Sequence, residues 1–372
     1  MTRGRIPTLD GLRAVAILMV ITSHATKGRI QALGRTGVLL FFALSGYLIT
    51  TRLIDEYRKS GHISLSNFYL RRIFRIIPPA LVYLAVLAVA SAIGIVICTD
   101  KPILAAMFFY VNYIDPADHL GFRAGHFWSL SVEEHFYLLW PLALITFGVA
   151  KGWRTALTLI CGVIVWRALD HHFNILAGIF HAPWLVWNQH GTDAVVDTLL
   201  WGCSLAFFSF KLRPWISAGI TVIGVIALIL CVMGLPPVNA NIVLTAEDLL
   251  PVVILGAIVS CPSNWIGRFL ELAPMRFIGH ISYSLYIWQQ MFIWGPGRTL
   301  PVPLGIAAAF ACAYFSYRFI ELPNIEFGRT NARKYMCVIK DVICMTLAVV
   351  IILGRHIMTP ILGPIDKGRN EA

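Results

Sequence analysis

An arginine and a histidine, Arg13 and His24, stand eleven residues apart in the first apolar segment of the chain. An α-helix rises 1.5 Å per residue, so this spacing corresponds to roughly 16 Å and about three turns. Both side chains therefore project from one helix face, a cation at one end and an imidazole at the other. Histidine accepts protons near neutral pH, which makes His24 a candidate general base for a hydroxyl that attacks a thioester. By spacing alone, an equally good interpretation is that Arg13 snorkels and His24 anchors the helix at the membrane interface.

A basic segment precedes the third apolar run and contains Arg71, Arg72 and Arg75. Arg72 and Arg75 share a face if the helix has begun there, and a pair of guanidinium groups suits phosphate recognition. A positive anchor on the cytoplasmic side would leave the same pattern, so spacing does not separate the two interpretations.

Two adjacent glutamates, Glu133 and Glu134, open another apolar helix. Neighbouring helical residues point about 100° apart, so we expect at most one of them to face a central cavity. A carboxylate at membrane depth usually marks function, here holding a histidine tautomer or binding acceptor hydroxyls. The competing interpretation is an acidic residue that favours the helix dipole, which explains one glutamate more easily than two.

Weaker candidates follow later in the chain. Asp193 and Asp197 lie one turn apart at a helix start, where capping competes with function. Tyr283 and Tyr286 belong to a polar and aromatic stripe that could line a sugar site or form an interfacial belt. Ser45 is interpreted as a small residue in helix packing. No metal site is predicted, because the histidines of the 171–190 loop and the eight cysteines lack metal-ligand spacing.

The amino-acid composition indicates a membrane protein. Of the 372 residues, 58% are hydrophobic and only 13% are charged, whereas soluble domains carry about 25% charged residues. The net charge of +11 does not indicate nucleic-acid binding, because the basic residues sit in short loops between apolar runs. The expected partners are therefore membrane lipids and not nucleic acid.

The apolar runs predict an all-α polytopic protein with about 10–11 transmembrane helices around a central polar cavity. The predicted spans are 10–26, 36–54, 76–98, 128–149, 155–173, 194–210, 215–235, 246–261, 277–295, 302–320 and 338–357. Residues 102–114 are too few to cross a core of about 30 Å and are expected to be interfacial or re-entrant. With a cytoplasmic N-terminus, this arrangement places most of the basic residues in the cytoplasm.

Seven segments, in order, resemble the acyltransferase-3 family of integral-membrane O-acyltransferases. They are 9–14 leading to His24, 37–48, 68–79, 126–134, 197–202, 279–288 and 317–323. The resemblance covers about residues 5–325, nearly the whole chain. It favours a single membrane-embedded domain over 1–360 with a short polar tail at 361–372 and no soluble esterase-like domain. It also implies a multi-pass protein of a bacterial inner membrane.

The resemblance implies an acyl-coenzyme A donor, often acetyl-CoA, that approaches from the cytoplasm as a substrate and not as a bound cofactor. Arg13 would help to hold this donor. Arg72 and Arg75, with Arg71 beside them, would grip the phosphates of coenzyme A.

The resemblance also implies transfer to a hydroxyl of an extracytoplasmic or membrane-associated acceptor. His24 would be the base or acyl relay, and Glu134, with Glu133, would support His24 or the acceptor. Weaker acceptor contacts are expected from Trp128, Ser131, Asp197, Tyr283 and Tyr286.

Two positions depart from the family pattern. Gln289 stands where relatives commonly have histidine, and an amide cannot act as a base, so no proton transfer is assigned there. Val195 stands where an arginine often precedes the position of Asp197, which puts the usual acceptor contacts in doubt.

Three functions are compatible with these features. The first is O-acylation, most simply O-acetylation, of a surface polysaccharide, exported glycan or glycolipid. The second is acylation of a small hydroxylated molecule such as a macrolide, or succinylation of a glucan. The third, from another class, is transport of acyl groups or lipids, which a polar helix face would also suit. The absence of sequence repeats disfavours the transporter.

Overall fold

The structure, a computed structural model, describes residues 6–26, 30–96, 98–115, 123–180, 182, 185, 190–233, 240–294 and 300–331, without the side chains of 31, 232, 240–244 and 331. Every regular element in this part of the chain is helical, which confirms the predicted all-α class. The α-helices are α1 (Pro7–Ala25), α2 (Gln31–Ser60), α3 (Leu65–Ala92), α4 (Asp100–Met107), α5 (Phe127–Phe147), α6 (Gly152–Phe173), α7 (Ile175–Ile179), α8 (Thr192–Ala206), α9 (Pro214–Val232), α10 (Ala240–Ser260), α11 (Trp265–Leu270), α12 (Ala273–Ile293), α13 (Val302–Ser316) and α14 (Leu322–Asn331).

Six helical stretches within the described ranges are long and apolar enough to cross a membrane, judged by length and composition. They comprise α1, α2, α3, the region of α6, α9, and the continuous stretch from α13 into α14. Four further predicted spans coincide with α5, α8, α10 and α12. The eleventh, 338–357, lies outside the described residues. Residues 102–114 form only the eight-residue α4 and a 3₁₀ turn, Val111–Tyr113, which are too short to cross.

The helix α1 lies at the centre of the molecule, packed against α2 and α12. Pro7 begins it, where a missing backbone donor costs nothing. Two glycines allow the close approach. A side chain at Gly11 would overlap the carbonyl of Leu270, and one at Gly279 would overlap that of Asp10. Small residues at crossings are how membrane helices bring their backbones together.

The α2–α8 crossing also depends on glycines that contact backbone carbonyls. A Cβ at Gly46 would overlap the carbonyl oxygen of Leu199, and one at Gly202 would overlap that of Ala43. Because Gly46 follows Ser45, this contact also fixes the position of the Ser45 hydroxyl. The α2 backbone is thus held at the point where it meets the cavity described below.

The helix α3 contains two consecutive prolines, Pro78 and Pro79. Each proline lacks the N–H that would bond the carbonyl four residues earlier, so the turn that carries Arg75 loses backbone bonds. Tyr283 of α12 donates its hydroxyl to the carbonyl of Ile76 at 2.6 Å. This bond ties α3 to α12 beside the weakened turn and fixes the wall from which Arg75 projects.

Candidate active site

A cavity opens between α1, α2, α3, α5 and α12. Its wall combines three arginines, one glutamate, serine and tyrosine hydroxyls, and apolar side chains. The expected central polar cavity is therefore present. Tyr283 and Tyr286, both weaker candidates from the sequence, contribute to its lining.

The cavity brings together Arg13 from α1 with Arg72 and Arg75 from α3. These are three of the four arginines expected to hold the donor. Arg71 does not join them, because it is exposed and pairs with Glu56 at 3.3 Å. Arg71 thus lies outside the cavity lining, because its ion pair with Glu56 holds the side chain at the exposed surface.

The cavity arginines are held by different contacts. Arg13 reaches Asp10 at 3.4 Å, and Asp10 also lies 3.3 Å from the ring of His280. Arg72 lies 4.8 Å from the ring centroid of Tyr137, a geometry that attracts a cation to the ring face. Arg52, at the end of α2, interacts electrostatically with all three cavity arginines, and the sequence analysis did not single it out. With one glutamate in the lining against three arginines, the cavity suits an anion.

Glu133 is the glutamate that faces the cavity, whereas Glu134 is outside its lining. This agrees with the expectation that at most one of two adjacent glutamates faces the cavity, because neighbouring helical residues point about 100° apart. The resemblance gave the main role to Glu134, whereas the glutamate in the lining is Glu133. Ser45 donates to Glu133 at 2.9 Å, and Tyr137 donates to its other oxygen at 2.8 Å. One oxygen of Glu134 is buried without a hydrogen-bond partner among the described residues. Ser45, interpreted from sequence as packing, thus belongs to the polar network of the cavity.

His24 lies farther along α1 than Arg13 and outside the cavity lining. Its Nδ1 is 2.7 Å from Oε1 of Gln289, and its ring lies 5.1 Å from that of Trp294. The expected support of His24 by a glutamate is not what the structure shows, because Gln289 occupies that role. The position where relatives commonly have histidine is therefore in direct contact with the proposed base.

A second histidine, His126, contacts a residue of the cavity wall. Tyr286 lines the cavity and donates to the carbonyl of His126 at 3.0 Å, while Ser129 lies 2.6 Å from the Tyr286 hydroxyl. The ring of His126 interacts electrostatically with His24. His126 thus connects the cavity wall with His24, whose own ring does not line the cavity.

The last of the seven segments that resemble the family, 317–323, also contributes a residue near the cavity arginines. Residues Tyr317–Glu321 form a π-helical turn, a feature often found at functional sites. The turn buries Glu321, which accepts a 2.8 Å bond from Ser284 and interacts electrostatically with Arg75 and Arg13. Glu321 is a cavity-supporting residue that the sequence analysis left without a role.

Three of the weaker candidates lie outside the cavity lining. Ser131 bonds the carbonyl of Phe127 at 3.0 Å within its own helix, and Trp128 packs 4.5 Å from the ring of His190. Asp197 is fully buried and pairs with Arg167 at 3.2 Å. The structure therefore provides no argument for a direct acceptor contact by these three side chains.

The buried Asp197 has an ion-pair partner on another helix. Arg167 of α6 binds Asp197 and, at 2.8 Å, Asp248 of α10. Thr198 adds a 3.0 Å bond to Asp248. A charge inside the apolar helix α6 was the available signal for this network. The network joins α6, α8 and α10 away from the cavity.

Comparison with known proteins agrees with this geometry. The model of the acyltransferase-3 family, described as an acyltransferase domain, matches residues 6–339. The chain belongs to this family. Its apolar helices and its family together make it a multi-pass membrane protein.

Two bacterial relatives illustrate the similarity. The chain is 31% identical over 361 residues to the peptidoglycan O-acetyltransferase OatA of Listeria monocytogenes, covering 89% of this chain and 57% of that protein. It is 30% identical over 364 residues to the O-acetyltransferase OatA of Staphylococcus aureus, covering 87% and 58%. The chain thus spans a little over half the length of these curated relatives. No solved structure matches it.

Proposed function

We propose that the protein transfers an acyl group, most simply acetyl, from acyl-coenzyme A to a hydroxyl of a glycan or lipid-linked sugar. The observation that carries this proposal is the placement of Arg13 and His24 on one helix. Arg13 faces a cavity with two further arginines, and His24 lies roughly 16 Å farther along the axis. Family membership and relatives named as O-acetyltransferases support the same chemistry.

The donor is proposed to bind through its phosphates. Arg13, Arg72 and Arg75 offer guanidinium groups, which form charge-assisted hydrogen bonds with phosphate oxygens. The ring contact between Arg72 and Tyr137 restrains one guanidinium before the donor arrives, which lowers the ordering cost of binding. A thioester attached to such a donor would then extend from the arginines towards Tyr286 and Ser129.

His24 is proposed to act on the acceptor hydroxyl. As the hydroxyl oxygen bonds to the acyl carbon, its proton passes to His24 and the carbon–sulfur bond breaks. The proton then goes to the departing thiolate, so the reaction yields the ester and free coenzyme A without net proton release. The polar network of Glu133, Ser45 and Tyr137 is proposed to hold the cavity wall in place during this transfer.

The sidedness of the cavity is proposed from the charge distribution. Basic residues cluster near Arg72 and Arg75, and this end of the cavity is therefore proposed to face the cytoplasm of a bacterial inner membrane. Coenzyme A would enter there, while the acceptor would approach His24 from the opposite side. Peptidoglycan is the acceptor named for the Listeria relative; for this chain the proposal extends to the class of glycans and lipid-linked sugars.

Mass spectrometry of cell-surface glycans and glycolipids tests this proposal. Cells with the wild type should show an acyl mass increment that is lost with His24→Ala and with gene deletion. His62→Ala is the matched control, because His62 lies exposed in the loop between α2 and α3. An unchanged increment in cells with a well-expressed His24→Ala variant would contradict the role of His24. An unchanged increment after deletion would contradict the proposed acceptor class.

A further inference from the structure

We propose that Gln289 is a positioning residue that fixes the tautomer of His24, so that Nε2 is the nitrogen available to the acceptor. This inference rests on the proposed function of His24 as the base. It assigns a role to the position where the sequence departs from its relatives, and it requires no proton transfer by the amide itself.

The geometry of the pair supports this role. Gln289 is fully buried on α12, and its Oε1 lies 2.7 Å from Nδ1 of His24. With Oε1 turned towards Nδ1 the amide oxygen accepts and Nδ1 carries the proton, while Nε2 of Gln289 is buried without a hydrogen-bond partner among the described residues. A neutral imidazole has one N–H, and the lone pair is consequently on Nε2. The crossing at Gly279 holds α12 against α1, so the distance between the two side chains is set by backbone packing.

The next residue repeats the arrangement with the second histidine. Oε1 of Gln290 lies 2.8 Å from Nδ1 of His126 and also accepts the backbone N–H of His126 at 3.4 Å. The backbone donor requires an oxygen at that position, so Nδ1 of His126 also donates. The Nε2 of His126 is buried without a partner among the described residues, whereas His24 is only partly buried. Of these two imidazoles, His24 is therefore the one that an acceptor can reach.

An amide oxygen orients the imidazole and stabilises its protonated form less than a carboxylate would. In catalytic triads an aspartate both holds the tautomer and strongly stabilises the imidazolium that forms. Because Gln289 carries no charge, the protonated His24 remains a better acid for the departing thiolate. This difference predicts how the pH dependence responds when the amide is replaced by a carboxylate.

Among the described residues, the other charged groups near His24 and Gln289 do not bring a carboxylate against the imidazole of His24. His126, at the start of α5, interacts electrostatically with His24. On α2, Arg35 follows Gly34, which packs against Ser23, and it is paired with Glu247 of α10 at 3.3 Å. On the α12 side, the contacts of His24 are the uncharged Gln289 and Trp294.

The test compares pH–rate profiles of acyl transfer by purified full-length variants with acetyl-CoA. Gln289→Glu should move the acidic limb to higher pH by about one unit or more, because a neighbouring carboxylate stabilises the imidazolium. Gln289→Leu should lower kcat by at least about 10-fold with an unchanged KM for acetyl-CoA, while Gln289→Glu should retain activity above its shifted limb. Gln290→Glu is the matched control, and its acidic limb should move less, because residue 290 contacts His126 and not His24.

The outcomes separate this inference from the proposed function. A Gln289→Glu profile with an unmoved limb, an equal shift in Gln290→Glu, or wild-type kcat in Gln289→Leu would overturn the tautomer role while leaving His24 as the base. If the proposed function were wrong, the wild type itself would show no acyl transfer. Nitrogen-15 NMR of histidine-labelled protein, assigned with His24→Ala, provides a test that needs no variant of Gln289. It should show a protonated Nδ1, and a protonated Nε2 would contradict the inference.

Discussion

At the residue scale, three arginines close in sequence meet different surroundings. Arg72 and Arg75 line the cavity, whereas Arg71 is exposed and bound to Glu56. Helical spacing alone does not explain the difference, because position 75 lies about one turn from both position 71 and position 72. The ion pair with Glu56 holds the Arg71 side chain at the exposed surface. The sequence predicted the shared face of Arg72 and Arg75 but could not show that it borders a cavity.

This difference makes a direct prediction for donor binding. Arg75→Ala should raise the KM for acetyl-CoA by about 10- to 100-fold with a smaller change in kcat, since a hydrogen bond to a charged group contributes about 1.5–3 kcal/mol. Arg71→Ala is the matched control and should change KM less than about 2-fold, as expected for loss of an exposed ion pair. Equal changes in the two variants, measured by steady-state kinetics, would contradict the assignment of Arg75 to the donor.

The residues that the sequence could not assign depend on contacts between distant segments. Ser45 reaches Glu133 across 88 positions, and His24 reaches Gln289 across 265. A serine beside a glycine is typical of helix packing, and a glutamine in an apolar helix carries no titratable signal. Arg13 and His24 could be identified because their relation lies within one helix, where spacing determines the face.

At the element scale, the apolar runs predicted the helices well. Ten predicted spans coincide with described helices, and the short run at 102–114 forms an eight-residue helix. Hydropathy succeeds because every spanning segment must satisfy its backbone internally. The hydropathy pattern does not indicate which helices touch. The central place of α1 follows from glycine contacts between distant segments. The π-helical turn at Tyr317–Glu321 likewise depends on packing that no single segment contains.

The α2–α8 crossing predicts a stability effect. Gly46→Ala would force the α2 backbone away from Leu199, and overpacking of this kind costs about 1–3 kcal/mol. Thermal unfolding in detergent should show a lower Tm. Activity should also fall, because the neighbouring Ser45 would shift from Glu133.

Gly162→Ala is the matched control for this prediction. Gly162 lies in α6 with open space where a Cβ would be added, and alanine favours a helix over glycine by about 1 kcal/mol. Its Tm should therefore stay constant or rise. A similar fall in both variants would mean that the crossing at Gly46 is not closely packed.

At the scale of the whole molecule, the cation-lined end of the cavity and the imidazole of His24 are separated along a single central helix. This arrangement allows a donor and an acceptor to approach from different sides of the membrane while one side chain handles the proton. The described helices α2, α3, α5 and α12 form the walls that keep these two sites in register. The proposed function therefore requires that one protein transfers the acyl group from a coenzyme A thioester to a hydroxyl.

The most direct test uses the purified protein in lipid vesicles with acetyl-CoA labelled in the acetyl group and a glycan acceptor. Label should appear in an ester of the acceptor at the same rate as free coenzyme A thiol is released. His24→Ala should lower both rates by about 100-fold or more, whereas His62→Ala should retain them. Thiol release and ester formation at the wild-type rate in a folded His24→Ala variant would contradict the proposed role of His24 in acyl transfer.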